Sequence, residues 1–370
     1  MNVLYILPVG ERGGAERIVE SWVGAHSSHV RPFVVMPPGP LLDSFQSMGV
    51  WAVAPPNFRM SKLISSIIFL GKIIKENKID LIHSSMPKGH LFGGIASLFF
   101  GVKELWFNHG PISGEYWQGF IPLIPSKRLL VNSEYMYRMQ FNTLYASREL
   151  KIQRLGINTA LIRPSAERRN AFRERYDLSP ETLVIGVFGR LVRLKGQDEM
   201  LKAMAKLKTM LPNGSLVCFL VGGTLFGLEE DYSIEVRSLI KSLHLENEVV
   251  MVNHTDDVYD YYDLIDVLVN PSVSPETFGL VVAEAMAKEK VVVASDAGGP
   301  RELIEHSNSG FLVKPGNEDE LANTLFSIAN MDVQRRAEIG RKARSFIVKN
   351  YDLSVSVKAL ENSYEEVVGL

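Results

Sequence analysis

The second half of the chain opens with the apolar stretch Leu183-Val-Ile-Gly-Val-Phe-Gly189-Arg190, which ends in a glycine turn. An apolar run of this length is typical of a strand that is buried on both faces in a parallel sheet. Four more such runs follow at residues 216–221, 249–252, 267–270 and 291–295, and segments with helical periodicity separate them. This alternation predicts a doubly wound α/β unit with helices on both faces of its sheet.

The first half shows the same alternation. It predicts strands at residues 3–7, 33–36, 81–83, 104–108 and 129–132. The chain is therefore predicted to hold two α/β units in tandem, doubled in architecture and without a sequence repeat of fixed period. Ligands of open parallel sheets bind beyond the carboxyl ends of the strands. Two such sheets facing a cleft would place the chemistry in that cleft.

The boundary between the units is predicted within residues 156–180, where prolines and the charged run Glu167-Arg168-Arg169 interrupt the periodicity. We expect a first domain over residues 1–165 and a second over residues 166–351. We also expect a final helix, residues 352–370, to pack back on the first domain. A hinge is expected at the boundary.

Composition excludes several classes of protein. The chain has 370 residues, of which 46% are hydrophobic and 22% charged, as in ordinary folded proteins and unlike disordered or multi-span membrane proteins. Its single cysteine, Cys218, lies in an apolar run, which excludes a disulfide framework and a cysteine-based zinc cluster. The first eight residues do not resemble a signal peptide. We therefore expect a cytoplasmic protein.

The net charge of −2 conceals an asymmetry between the halves. Residues 1–165 carry 17 basic and 10 acidic side chains, so residues 166–370 carry 23 and 32. A uniformly basic chain would suggest a nucleic-acid partner, but the pI of about 6.5 and this split do not, so nucleic acid is not an expected partner. A basic first half suits an anionic lipid surface or a phosphorylated substrate.

A glycine turn follows the first predicted strand, in Gly10-Glu-Arg-Gly13-Gly14-Ala-Glu16-Arg17. Such a turn lets backbone N–H groups approach an anion. The glycine spacing is not that of the dinucleotide fingerprint, and residues 36–39 supply no acidic partner for a ribose. This weakens the case for a nicotinamide dehydrogenase. A turn that serves only tight packing remains the alternative.

Two cations follow the strand at residues 183–188. Arg190 stands where the strand gives way to a loop, and Lys195 comes just before the next predicted helix. With the amino end of that helix, both could converge on one polyanion such as a pyrophosphate. A solvated basic loop is the alternative.

The sharpest motif is Pro275-Glu276-Thr-Phe278-Gly279-Leu280, with Glu284 about one turn into the helix that begins at Leu280. Backbone N–H groups at Phe278, Gly279 and Leu280 would meet a phosphate or sugar oxygen. The two carboxylates suit vicinal hydroxyls. A single acidic residue that favours a helix start is the alternative for Glu276.

In combination these motifs resemble family 4 of the retaining glycosyltransferases, which have the GT-B fold of two Rossmann-like domains. The resemblance rests on Gly13-Gly14-Ala-Glu-Arg, Gly189-Arg190 with Lys195-Gly196, the Glu276-x7-Glu284 spacing before Ala-Met-Ala, and Gly298-Gly299-Pro-Arg-Glu302. It covers nearly the whole chain and is strongest over residues 183–315.

The resemblance implies a role for each motif residue in binding a nucleotide sugar. Arg190 and Lys195 would hold the donor's pyrophosphate, Glu284 the ribose, and Glu276 the hydroxyls of the donor sugar. Gly14 would close over the phosphate or the acceptor. His109, in Phe107-Asn-His-Gly110, resembles the histidine that lies beside the sugar ring in such enzymes, although a lone histidine is more often structural.

The resemblance also implies that no metal or other cofactor is needed, and the chain has no D-x-D motif. The donor would be a UDP-, GDP- or ADP-sugar. Two departures, Gly222-Gly223 without the usual following pattern and Asn253-His254 in place of an aromatic-glycine step, leave the nucleobase open. Front-face transfer is favoured for retention, because no carboxylate nucleophile is evident in the first half; double displacement is the alternative.

The acceptor is expected in the basic first domain. Residues 59–75 form an amphipathic segment with cations on its polar side, and residues 115–128 combine aromatics, prolines and terminal cations. Both fit a lipid-linked or glycan acceptor at the cytoplasmic face of a membrane, as in cell-surface polysaccharide synthesis. A helix packed on the sheet and a buried connection are the alternatives. A catalytically silent nucleotide-sugar-binding subunit is the competing function, with phosphorylase or epimerase chemistry as a third.

Overall fold

A computed structural model describes residues 1–11, 13–55, 60–110, 120–121, 123–141, 149–212, 214–224, 229–255 and 257–369. The chain forms two compact units. The first comprises Met1–Asn158 and Tyr351–Leu370, and the second comprises Thr159–Asn350. Within the described ranges no helix is both long and apolar enough to cross a bilayer.

The first unit is built on a parallel sheet of seven strands in the order β3-β2-β1-β4-β5-β6-β7. The order reverses between β1 and β4, as in doubly wound folds. Its elements are β1 (Asn2–Ile6), α1 (Gly14–Ala25), β2 (Arg31–Val35), α2 (Pro40–Ser47), β3 (Trp51–Val53), a 3-10 turn (Met60–Lys62), α3 (Leu63–Glu76), β4 (Leu81–Ser85), α4 (Met86–Phe100), β5 (Lys103–Asn108), β6 (Arg128–Val131), α5 (Glu134–Phe141) and β7 (Glu149–Ile152).

The last helix of the chain, α14 (Leu353–Val368), belongs to the first unit and packs against α1 and β5. Trp22 of α1 donates from Nε1 to Ser356 Oγ at 2.9 Å. The guanidinium of Arg128 pairs with Glu366 of α14 at 2.8 Å. The end of the chain thereby covers the α1 face of the first sheet.

The second unit has a parallel sheet of six strands in the order β10-β9-β8-β11-β12-β13, which reverses between β8 and β11. Its elements are α6 (Ala166–Arg175), β8 (Leu183–Phe188), a 3-10 turn (Arg193–Lys195), α7 (Gln197–Met210), β9 (Leu216–Val221), α8 (Glu230–Ser242), β10 (Val249–Val252), α9 (Val258–Leu264), β11 (Val267–Asn270), α10 (Leu280–Ala287), β12 (Val291–Ser295), α11 (Pro300–Leu303), β13 (Phe311–Val313), α12 (Glu318–Ala329) and α13 (Val333–Tyr351).

The core of the second unit is formed by the apolar strands and the inner faces of its helices. Ile185 of β8 and Val293 of β12 are fully buried, and so are Met204 of α7 and Leu325 of α12. Cys218 is also fully buried, and burial raises the pKa of its thiol to about 12. The thiol is therefore protonated at neutral pH and packs as a small apolar group.

The predicted fold class is confirmed: two α/β units, each a doubly wound parallel sheet. All ten strands predicted from apolar runs are present. Three further strands, β3, β7 and β13, were not predicted, and each lies at an edge of its sheet. The units divide at residues 158/159 and 350/351, where the sequence suggested 165/166 and 351/352.

Candidate functional site

The candidate site of the second unit lies where the strand order reverses, at the carboxyl ends of β8 and β11. The loop after β8 carries Arg190 and Lys195, and the loop after β11 carries Ser272 and Glu276. In open α/β sheets this reversal point is the usual position for a ligand, because the two loops diverge and leave a crevice.

Lys195 is positioned by a tight turn that docks on the β11 loop. The 3-10 turn ends at Gly196, whose left-handed backbone has a φ of 67°. A Cβ at Gly196 would lie 2.1 Å from the carbonyl oxygen of Pro271, so only glycine fits. The amide of Val273 donates to the carbonyl of Leu194 at 3.1 Å. These contacts hold the lysine against the loop that carries Glu276.

Glu276 is held by the glycine pair Gly298-Gly299 at the end of β12. Glu276 and Gly298 form an isolated parallel bridge, and the amide of Gly299 donates to the carbonyl of Glu276 at 2.8 Å. A Cβ at Gly298 would lie 2.1 Å from that carbonyl oxygen. Two glycines are thus required for the Glu276 loop to lie this close to its neighbour.

We expect Gly298→Ala to lower the free energy of unfolding by more than the 1–2 kcal/mol or so that a left-handed alanine costs. The reason is that its Cβ overlaps the backbone of Glu276 and its φ is 67°. Gly316→Ala is the matched control, with a φ of 71° and nothing within 4 Å of its Cβ. Denaturant unfolding followed by circular dichroism measures both. Equal losses would contradict the close packing of this loop.

Lys195 and Glu276 form an ion pair. Lys195 Nζ donates to Glu276 Oε1 at 2.5 Å, and the side chains are 29% and 17% exposed. Ser272 Oγ donates to the same oxygen at 2.7 Å, and Asn270 Nδ2 at 3.3 Å. Burial acts to raise the pKa of Glu276, but the charge and hydrogen bond of Lys195, with those two donors, outweigh it and hold the pKa below its usual range. The carboxylate is therefore ionised at neutral pH.

Arg190 does not join this pair. Its guanidinium lies 3.6 Å from Glu229 Oε1, just before α8, and its side chain is half exposed. Its carbonyl accepts a hydrogen bond from Gln197 Nε2 at 2.8 Å. The two cations that the sequence placed together thus have different acidic partners in this structure.

The helix α10 begins directly after this loop. Gly279 is its N-terminal cap, with a left-handed φ of 94°, and no side chain caps the helix. Leu280 is the first helical residue, and Phe278 is buried beneath the turn. The amino end of α10, with the positive end of its dipole, therefore follows the Glu276 loop, as the sequence predicted.

Glu284 lies in the second turn of α10 and is buried. Tyr262 of α9, itself fully buried, donates from Oη to Glu284 Oε2 at 2.7 Å. The tyrosine fixes the orientation of the carboxylate. Glu276, in the loop before α10, and Glu284, in its second turn, therefore lie on either side of the start of this helix. Each carboxylate accepts a hydrogen bond from a neighbouring element.

In the first unit His109 lies just past the end of β5. It is 9% exposed, and burial lowers the pKa of its imidazole to about 3. Its ring meets that of Phe107 edge to face at 4.3 Å. Among the described residues, none forms a hydrogen bond with its buried Nε2. His109 is thus a neutral imidazole with an unused hydrogen-bonding atom at the carboxyl edge of the sheet.

Gly14 is the first residue of α1, and Gly13 caps it. A Cβ at Gly13 would lie 2.5 Å from Glu16 Oε2, so the carboxylate of Glu16 folds back on the turn. Burial raises the pKa of Glu16, against the hydrogen bonds it accepts from the backbone of its own helix start. This acidic side chain occupies the helix start that the sequence suggested for a phosphate or an acceptor.

Sequence inspection missed three residues of the second site. Asn270 and Ser272 bind the carboxylate of Glu276, and Tyr262 binds Glu284. A signal was present for the first two, since they are the polar residues that follow the apolar run of β11. Tyr262 lies in a tyrosine-rich helix and carried no comparable signal. In the part of the chain that the structure describes, no group of three His, Cys, Asp or Glu residues is placed to hold a metal ion.

Comparison with known proteins identifies relatives of both sequence and structure. Residues 168–346 match the family model described as Glycosyl transferases group 1. The putative glycosyltransferase EpsD of Bacillus subtilis (strain 168) is 27% identical over 271 residues, 69% of each chain. The capsular polysaccharide biosynthesis glycosyltransferase CapM of Staphylococcus aureus is 25% identical over 315 residues, 81% of this chain and 80% of CapM.

The crystal structure of Anabaena Alr3699/HepE in complex with UDP-glucose resembles the whole chain. The TM-score is 0.85 at 25% identity, over 99% of this chain and 100% of that one. The matched span of the family model contains Arg190, Lys195, Glu276 and Glu284.

Proposed function

We propose that this chain, whose residues 168–346 match the Glycosyl transferases group 1 family model, is a glycosyltransferase that moves a hexose-type sugar from a nucleoside diphosphate sugar to a glycan or lipid-linked acceptor. The transfer proceeds with retention of configuration and without a metal ion. The second unit binds the donor and the first binds the acceptor. HepE, with its bound UDP-glucose, supports a nucleotide-sugar donor, and CapM supports a role in polysaccharide synthesis.

The observation that carries the proposal is the Lys195–Glu276 pair next to the amino end of α10. A lysine ammonium stabilises the negative charge that develops on a leaving diphosphate, and a helix amino end adds to the same potential. An ionised carboxylate accepts hydrogen bonds from sugar hydroxyls. One site thus offers both kinds of group that a nucleotide sugar requires.

The reaction breaks the bond between the anomeric carbon and the diphosphate oxygen and forms a bond from that carbon to an acceptor oxygen. The acceptor hydroxyl loses its proton, which passes to the departing phosphate in the front-face route. Lys195 and Arg190 neutralise the diphosphate, Glu284 binds the ribose, and Glu276 orients the sugar with the amides of residues 278–280. No enzyme nucleophile is needed in this route.

His109 is suited to a neutral role beside the sugar. With its pKa lowered to about 3, the imidazole does not carry charge at neutral pH. It can bind a hydroxyl through its nitrogen atoms without repelling a developing cationic sugar. Gly14, at the start of α1, is proposed to approach the phosphate or the acceptor through its backbone, for which the Glu16 carboxylate has to move off the turn.

The test is release of nucleoside diphosphate from UDP-, GDP- and ADP-sugars, in the presence of a chelator and without acceptor. Slow, chelator-resistant hydrolysis of one donor supports the proposal and names the donor. If no donor turns over but one nucleotide binds by calorimetry, the protein is a silent binding subunit instead. Activity that requires added metal would contradict the metal-free mechanism.

Replacing Lys195 by methionine is expected to weaken binding of the nucleoside diphosphate by at least about tenfold, because a charge-assisted contact contributes about 1.5–3 kcal/mol. Arg193→Met is the matched control, since Arg193 lies in the same turn but pairs with Glu235 outside the site. Titration calorimetry with the donor's own diphosphate measures both. Equal weakening by the two variants would remove Lys195 from the phosphate site.

We further propose that the first unit binds a membrane surface through α3. Ile64 and Ile68, one turn apart, are 78% and 66% exposed, and Lys72 and Lys75 continue the same exposed face. Exposed apolar side chains next to cations suit an anionic lipid surface. Of the aromatic segment at residues 115–128, residues 115–119 and 122 lie outside the described residues.

Co-sedimentation with vesicles that contain anionic phospholipid tests this surface. The double variant Ile64→Ser, Ile68→Ser should lose binding, whereas Ile234→Ser, an exposed isoleucine of α8, should keep it. Absence of the wild-type protein from the vesicle pellet would end the membrane proposal without affecting the donor site.

A further inference from the structure

A continuous chain of hydrogen bonds runs through the first unit, from α14 to the sheet. His26 Nδ1 lies 2.9 Å from Glu361 Oε1, and His26 Nε2 lies 2.5 Å from Tyr5 Oη. Tyr5 Oη lies 2.6 Å from Tyr364 Oη, which lies 2.5 Å from His83 Nδ1. These five side chains are called the relay below. Tyr5, His83 and Tyr364 are fully buried, and the Glu361 side chain is 16% exposed.

The direction of every bond in the relay follows from its carboxylate end. Glu361 Oε1 also accepts the backbone N–H of Ser27 at 2.8 Å, so the carboxylate is an acceptor and His26 Nδ1 donates to it. A neutral His26 then accepts at Nε2, and Tyr5 must donate to it. Tyr5 has one proton, so Tyr364 donates to Tyr5, and His83 Nδ1 donates to Tyr364.

The ionisation states fit this direction. Burial acts to raise the pKa of Glu361, but the bonds from Ser27 and His26 outweigh it and lower the pKa. Burial lowers the pKa of His26 and that of His83, and it raises the pKa of Tyr364. The relay is thus one carboxylate followed by four neutral side chains. Each hydrogen bond between them has one donor and one acceptor.

The relay ends at the carboxyl edge of the first sheet, where His109 also lies. It crosses from β1 to β4 at the reversal point of the sheet, where Tyr5 pairs with His83 and their rings stack at 4.6 Å. Ser85 lies two residues further along β4 on the same face, in register with Phe107. The ring of Phe107 lies between those of His83 and His109, at 6.3 and 4.3 Å.

The buried polar atoms at this edge that receive no hydrogen bond from any described residue include His83 Nε2, Ser85 Oγ and His109 Nε2. Buried polar atoms in proteins are otherwise nearly always paired, with protein, water or ligand. Because the relay leaves His83 with its proton on Nδ1, its Nε2 is a bare acceptor. At this edge His83 Nε2 can therefore only accept a hydrogen bond, whereas the nearby hydroxyl of Ser85 can both donate and accept one.

We propose that the relay is a positioning device: Glu361 fixes His83 as the Nδ1-protonated tautomer, so that Nε2 accepts a hydrogen bond from a sugar hydroxyl bound at this edge, directly or through one water. The inference rests on the proposed function for its ligand. Glu361 and Tyr364 act through His83, and the C-terminal helix α14 thereby takes part in substrate binding by the first unit.

The experiment compares Glu361→Ala and Tyr364→Phe with Glu366→Ala. Glu366 is the matched control, because it also anchors α14, through Arg128 and Lys151, but lies outside the relay. Long-range proton–nitrogen spectra of the 15N-histidine-labelled full chain report the tautomer of His83, assigned with His83→Gln, in the absence of substrate. Steady-state transfer from the preferred donor to a panel of simple glycosides gives kcat/KM for the acceptor with each variant.

In the wild type the proton is expected on His83 Nδ1. Both relay variants should move it in part to Nε2 and lower kcat/KM about tenfold, the loss expected for one hydrogen bond to substrate. Glu366→Ala should change neither. A wild-type His83 protonated on Nε2, or relay variants with unchanged kcat/KM in an active enzyme, would overturn the inference. If the wild type turns over no donor, the proposed function fails, whereas the spectra still decide the relay.

Discussion

Replacing Glu276 by glutamine is expected to lower donor turnover about 100-fold or more, the usual cost of removing a preorganised electrostatic contact from a reaction site. The amide keeps the size of the side chain and an oxygen for Ser272 and Asn270. What it loses is the negative charge that faces Lys195 at 2.5 Å. The effect should therefore fall on turnover, with the fold preserved.

Steady-state hydrolysis of the preferred donor measures the effect as kcat and KM. Glu235→Gln is the control, because Glu235 pairs with Arg193 at an exposed position of the same unit. Circular dichroism and thermal unfolding establish that both variants are folded. A Glu276→Gln enzyme within threefold of the wild type would exclude Glu276 from the sugar site.

The pH dependence of kcat/KM of the wild type tests the ionisation state of Glu276 independently. Lys195 holds the pKa of Glu276 below its usual value of 4.5. Glu276 is then ionised at every pH above that value, and it contributes no titration to activity between pH 5 and 8. A fall in kcat/KM with acid in that range would have to come from another group.

The strands that could be predicted from the sequence are the buried ones. β8, for example, is an unbroken apolar run because both of its faces are covered. The three missed strands lie at sheet edges and have three or four residues each: β3, β7 and β13. Glu149–Ile152 alternates charged and apolar residues with partial exposure, so it carries no run to recognise. Its strand conformation depends on pairing with β6.

The candidate site was predictable as far as local motifs determine it. The approach of Lys195 to Glu276 follows from two loops at one reversal point, and glycines at positions 196, 298 and 299 mark the close contacts. The partner of Arg190 was not predictable, because Glu229 comes from the start of α8, after another strand. Likewise the relay joins residues up to 359 positions apart, and no local pattern links them.

The first unit is expected to lose stability in mild acid. Burial lowers the pKa of His109 to about 3, from an ordinary value of 6.5. Between these two values the unfolded chain binds a proton that the folded chain does not, so acid favours unfolding. Below pH 6.5 the free energy of unfolding should fall by about 1.4 kcal/mol per pH unit, or about 2 kcal/mol between pH 7 and pH 5, from His109 alone. His26 and His83 act in the same direction, and Glu16, whose pKa burial raises, acts in the opposite one.

Tryptophan fluorescence can follow this unit separately, because all four tryptophans of the chain, at positions 22, 51, 106 and 117, belong to it. Urea unfolding at pH 7, 6 and 5 should give a free energy that declines with acid. His109→Gln removes one titrating group and should flatten the decline, whereas His29→Gln, at an exposed position, should leave it unchanged. A wild-type free energy that is constant from pH 7 to pH 5 would mean that the buried imidazoles take up protons without unfolding. The neutral His83 on which the relay depends would then be lost as well, since the same burial keeps both imidazoles uncharged.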